Sequence, residues 1–228
     1  MSEITRGSVR EPTRAQEILA LGLRDEKRRR TRQHIAQVAT SLFLEHGFGR
    51  VTIAEVARTA EVSVNTVYTY FPSKEDLVFY PREASAQRLV RMVADRPPGL
   101  SAAAAVLGAL RGELRHGDRM AALAHEFGRF LEMARAEPTL AVRLDALARQ
   151  MVDELAAELA TETATPTSDP LPRLVAAQLG WVHEQLFREI AERARAGNPP
   201  AEAAAAGLSL LHTVEGLLGD RVLAYATR

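Results

Sequence analysis

Cysteine is absent from all 228 residues. Its absence excludes disulfides, thiol nucleophiles and cysteine-ligated zinc or iron–sulfur centres, and it fits a reducing compartment, so a cytoplasmic location is expected. No apolar run approaches the roughly 20 residues that a membrane span needs, so no membrane partner is expected. The N-terminal stretch MSEITRGSVREPTRAQ has no apolar h-region and does not read as a secretory signal. The chain also lacks an excess of either charge, with 29 basic and 29 acidic residues. Apolar–polar alternation never persists, so no strand is expected. His34, His46, His116, His125, His183 and His212 include no pair at metal-ligand spacing on a helix, so neither a metal nor another cofactor is expected. Nothing resembles a nucleophile elbow, a phosphate loop or a dinucleotide fingerprint, which argues against an enzyme.

Hydrophobic residues make up 46% of the chain, enough to build a packed core. Their spacing is helical throughout, and the expected fold class is all-α. Residues 1–24 are polar without a period and are expected to be a disordered extension. Residues 25–78 read as a small domain of short helices, and residues 79–228 as a larger helical domain. Within the latter, helices are expected over about 101–116, 118–137, 138–160 and 174–196. A last helix should then follow the Gly197-Asn198-Pro199-Pro200 break and run to about 227. Pro81 should kink or restart the helix that holds it.

The neutral total hides a local asymmetry. Arg24, Lys27, Arg28, Arg29, Arg30 and Arg32 crowd into residues 24–34 against Asp25 and Glu26. Such a cluster suits a confined anionic contact, and it equally suits a solvated helix start.

The segment VTIAEVARTAEVSVNTVYTYFPSKEDL, residues 51–77, is the most informative. Thr52 and Glu55 have capping-box spacing, as do Ser73 and Asp76, and Ser63 caps the helix between them. Val62 and Val67 stand where a hydrophobic staple forms. That middle helix carries Ser63, Asn65, Thr66, Tyr68, Thr69 and Tyr70, although stronger helix formers would stabilise it more. Hydroxyl, amide and phenol groups can bond bases and phosphates. Two short helices joined by a tight turn form a helix-turn-helix unit, whose second helix enters the DNA major groove.

These residues resemble the DNA-binding domain of TetR-family transcriptional regulators. TRQHIAQVATSLFLEHGF resembles the family's first helix, VTIAEVARTAEVS its second, and VSVNTVYTYFPSKEDL its recognition helix and the entry to its fourth. The resemblance implies a phosphate contact for Thr52, groove contacts for Asn65, Thr66 and Tyr68, and backbone clamps for Tyr70 and Lys74. Ser63, Thr69 and the arm residues Arg28, Arg29 and Arg30 complete the expected DNA-facing set. Packing in the small core is the competing reading of Tyr68 and Tyr70, whereas Val67 and Phe71 are assigned to that core. Glu61 departs from the family, which often has Gly in the turn, and Val64 stands where a longer polar residue is common.

The second half resembles the family's regulatory domain in architecture alone. Met92, Met120, His125, Phe127, Phe130, Met133, Met151 and Trp181 could line an adaptable apolar pocket for a small apolar or amphipathic ligand, or could be plain core. Gly128, in mid-helix, suits close helix packing or room for a ligand. Leu208, Leu211, Leu218 and Val222 could meet a symmetry mate in a four-helix bundle, or could be intrachain core. The resemblance therefore implies a homodimeric, ligand-released repressor bound to a double-stranded DNA operator. A ligand-independent DNA-binding dimer of nucleoid type is the rival reading.

Overall fold

A computed structural model describes residues 14–80, 86–115, 117–166 and 168–228; side chains are described except at 14–24, 117–125 and 127. Every regular element among them is helical, and no strand occurs. The first helix, α1 (Arg14–His46), begins eleven residues before the expected Asp25. It ends at Gly47, whose φ of 84° suits a residue without a Cβ. Then come α2 (Ile53–Thr59), α3 (Val64–Tyr70) and α4 (Lys74–Val78). Pro81, expected to kink the chain, lies outside the described residues.

The larger domain contains α5 (Arg88–Ala94), α6 (Ala102–Arg115), α7 (Gly117–Ala136), α8 (Pro138–Glu162), α9 (Leu171–Arg195), α10 (Pro200–Leu217) and α11 (Asp220–Leu223). The final helix does not run unbroken to residue 227. Leu218 and Gly219 adopt extended backbone, with ψ near 130° and 151°, and separate α10 from α11.

Helix α9 is the hub, with α7, α8 and α10 packed around it. Gly128 of α7 is buried, and a Cβ built there would lie 2.9 Å from the Ala191 backbone nitrogen. Close helix packing therefore accounts for this glycine. Gly207 does the same for α10, where a Cβ would meet Leu186 Cδ1 at 2.9 Å.

One buried ionic cluster closes the far end of this domain. The Arg96 side chain is fully buried. It donates to the carbonyls of Val93 at 2.7 Å, Leu100 at 3.0 Å and Ala226 at 2.7 Å, and it pairs with Glu162. Glu162 also faces Arg228 at 3.4 Å, while its Oε2 is buried without a hydrogen-bond partner. The Arg96 fork thus fastens the α5–α6 loop, the end of α8 and the chain segment after α11 to one another.

Candidate nucleic-acid interface

Local chemistry shapes the turn between α2 and α3. The Thr52 hydroxyl accepts the Glu55 N–H at 3.1 Å and starts α2. At the other end, Val62 N–H bonds Ala57 O at 2.9 Å and Glu61 N–H bonds Arg58 O at 3.2 Å, the paired closure of a Schellman motif. That motif needs a left-handed residue, and Glu61 supplies it with φ of 55°. A side chain in this region costs roughly 1–2 kcal/mol. Glu61→Gly should therefore raise stability by roughly 0.5–1 kcal/mol, once the greater freedom of glycine in the unfolded chain is subtracted. Chemical denaturation of the two proteins measures this, and an unchanged or lower midpoint contradicts it.

Ser63 then caps α3. Its Oγ accepts the Thr66 N–H at 3.0 Å and lies 2.8 Å from the Thr66 hydroxyl. Val67 and Phe71 are fully buried, as expected of core, and they orient the helix. The opposite face presents Val64, Asn65, Tyr68 and Thr69, all exposed. Tyr68 is 50% exposed, so its ring stands clear of the core. Tyr70 is half-buried against the core, with the Arg28 guanidinium 5.9 Å from its ring centroid. The Thr69 hydroxyl bonds back to Asn65 O at 2.8 Å, and Thr66 is tied to Ser63, so the least committed polar groups here are Asn65 and Tyr68.

Lys74, expected as a phosphate-backbone clamp, also has a partner within the chain. Its ammonium donates to Phe48 O and sits 4.3 Å from the Phe48 ring centroid. Burial lowers its pKa. Lys74 thus ties the start of α4 to the loop after α1. In the basic cluster, Arg30 pairs with Glu26 at 2.8 Å and Arg29 pairs with the same carboxylate. The Arg30 hydrogen bond, ahead of the nearby guanidinium charges, holds Glu26 below its usual pKa. Arg28, Arg29 and Arg30 are all exposed on the helix that precedes the DNA-binding core.

The joint between the two domains was not legible in the sequence. Arg143 of α8 donates to Asp76 Oδ1 at 2.6 Å and lies over the Phe79 ring at 5.2 Å. Phe79 in turn stands edge-on to Phe130 of α7. Burial would raise the Asp76 pKa, but hydrogen bonds from Ser73 and Arg143 outweigh it and hold the carboxyl low.

A cavity of about 460 Å³ opens between α5, α7, α8 and α9. Of the expected lining, Met151 and Trp181 are present. Phe130 is buried core, and Met92 and Met133 pack beside the core, away from the cavity. The side chains of Met120, His125 and Phe127 lie outside the described residues. Leu89, Leu131, Leu144, Leu147, Val152 and Phe187 supply most of the apolar wall, and His183 a polar one.

The expected dimer contacts also require correction. Leu211, Leu218 and Val222 are buried in their own protomer, and Leu208 packs beside that core, because the apolar stripe of α10 and α11 faces inward. The large apolar residues left uncovered on α9 and α10 are Leu174, Trp181 and Leu217, at 52%, 45% and 73% exposure. Among the described residues, no group of His, Asp and Glu could hold a metal, and no helix is long and apolar enough to cross a membrane.

A buried three-helix core with a capped, polar-faced helix after a tight turn defines a helix-turn-helix DNA-binding domain. Residues 35–80 match the model for bacterial regulatory proteins of the tetR family. Over that segment the chain is similar to the DNA-binding domain of the tetR family. The HTH-type transcriptional regulator TcmR of Streptomyces glaucescens is 34% identical over 100 residues, 42% of this chain and 44% of that protein. The HTH-type regulator LuxR of Vibrio harveyi is 44% identical over 59 residues, 23% and 29% of the two. The chain thus spans less than half the length of these relatives. The solved SmeT–triclosan complex shares the fold with a TM-score of 0.55 at 16% identity, over 84% of this chain and 93% of that one. So does NalD, the secondary repressor of the MexAB-OprM multidrug efflux pump in Pseudomonas aeruginosa, with 0.54 at 18% identity over 82% and 96%.

Proposed function

We propose that this protein is a homodimeric, sequence-specific DNA-binding transcriptional regulator, a repressor released from its operator by a small molecule. The observation that carries the DNA-binding part is the exposed face of α3, with Asn65 and Tyr68 held outward by the buried Val67 and Phe71. The first turns of such a helix reach base edges, and the exposed Thr52 and Arg28–Arg30 offer hydroxyl and guanidinium donors of the kind that bind phosphates. The exposed patch of Leu174, Trp181 and Leu217 supports a dimer, which a two-fold operator requires. The cavity favours a ligand sensor over a ligand-independent dimer, for which a closed core would suffice.

Binding to a panel of operator variants tests this reading, after an operator is selected from random DNA. Tyr68→Ala and Asn65→Ala should each cost about 1–3 kcal/mol and relax preference at particular base pairs. Arg28→Ala should weaken binding evenly and flatten the log–log salt dependence by about 0.9. Uniform loss for the α3 variants, with base-selective loss for Arg28→Ala, would misplace the recognition helix. Lys74→Ala should lose folding stability as well, because it removes the tie to Phe48.

A further inference from the structure

His183 is the unusual group in the cavity wall. It is a polar ring among Leu89, Leu131 and Phe187, whose own ring centroid lies 4.7 Å away. Arg88 Nε donates to His183 Nε2 at 3.1 Å. A guanidinium can only donate, so Nε2 must accept and the ring proton must reside on Nδ1. Burial, followed by the adjacent Arg88 charge, pushes the imidazole pKa down to about 3, so the ring is neutral at physiological pH. Arg88 carries no net demand for an anion, because its Nη2 is paired with Glu113 at 2.6 Å. The Nδ1–H donor has no protein partner among the described residues, and it is not a buried orphan, so it is accessible. The charged side chains of the lining, such as Asp145, Arg149 and Asp153, are exposed and mark the mouth.

We propose that the cavity takes an uncharged, largely apolar molecule carrying an acceptor oxygen, and that His183 Nδ1–H donates to that oxygen while Arg88 fixes the ring's tautomer and orientation. This rests on the sensor reading above. The parts of the wall then act separately. The leucines and Phe187 exclude water, the neutral ring reads the oxygen, and the Arg88–Glu113 pair leaves no uncompensated charge to attract a carboxylate. Arg88 also stands at the start of α5, so the group that orients the reader belongs to the helix entering this domain from the DNA-binding side.

Trp181 lines the cavity and is the chain's single tryptophan, so its fluorescence reports occupancy. Three rings of similar size serve as probes on the full-length protein: fluorene, 9-fluorenone and fluorene-9-carboxylate. Fluorenone should bind at least about five-fold tighter than fluorene, the ~1 kcal/mol of one neutral hydrogen bond. The carboxylate should bind weakest. His183→Phe and His183→Asn, checked for native helix content, differ in whether a donor remains. The fluorenone preference should vanish in the first and be partly kept in the second. Equal affinity for fluorene and fluorenone in the wild-type protein overturns the donor role of His183. Tightest binding by the carboxylate overturns the uncharged class. Absence of binding by all three overturns the small-molecule cavity itself, and with it the sensor reading.

Discussion

Replacing Arg96 with Ala should cost about 3–5 kcal/mol of folding stability, the expected penalty for removing one partner of a buried ion pair. The variant would leave Glu162 largely buried with only the more distant Arg228, and would strip the donor from the carbonyls of Val93, Leu100 and Ala226. For a chain of this size the loss corresponds to a fall in Tm of roughly 6–20 °C. The double replacement Arg96→Met and Glu162→Met should recover much of it, since replacing both charges with apolar groups removes the desolvation cost. Thermal and urea unfolding followed by circular dichroism measure both. An Arg96→Ala variant within about 1 kcal/mol of the wild type would mean that solvent reaches the cluster.

The second large effect concerns assembly. Trp181→Glu together with Leu217→Glu places carboxylates on the uncovered patch of α9 and α10. If a partner covers that patch, an unpaired charge there costs several kcal/mol, so dimer affinity should fall by at least about a hundredfold. The subunit should stay folded, because both side chains are exposed in the protomer. Leu211→Glu should behave differently, since Leu211 is fully buried, and should unfold the subunit before it separates the dimer. Sedimentation and circular dichroism distinguish the two outcomes. A double variant with wild-type dimer affinity would place the interface on another face.

Leu211 and Leu217 also show where sequence reasoning stops. Both are leucines on an apolar helix, and periodicity identifies the stripes without saying whether a stripe meets its own chain or a second copy. The DNA-binding domain was legible because its signals are local. Ser63 caps a helix three residues away, Ser73 and Asp76 form a reciprocal box, and Val67 and Phe71 fall at spacings that point one way. The tie of Lys74 to the Phe48 carbonyl was not legible, because that partner lies 26 residues back. His183 was invisible for the same reason, since Arg88 is 95 residues away and no spacing rule joins them. Methionine and phenylalanine drew attention to a pocket, but leucine is the commonest residue of its wall, and composition cannot separate such leucines from core.

The joint between the two domains has two parts that respond differently to salt. The edge-on contact of Phe79 with Phe130 is indifferent to ionic strength, whereas Arg143 and Asp76 are 42% and 28% exposed and their attraction is screened. Raising salt should therefore loosen this joint and, under the proposed function, also compete for phosphate. An observed salt slope for DNA binding contains both effects. Dividing that slope by about 0.9 would count more phosphates than the protein touches. Removing the pair with Asp76→Ala at fixed DNA contacts would supply the correction.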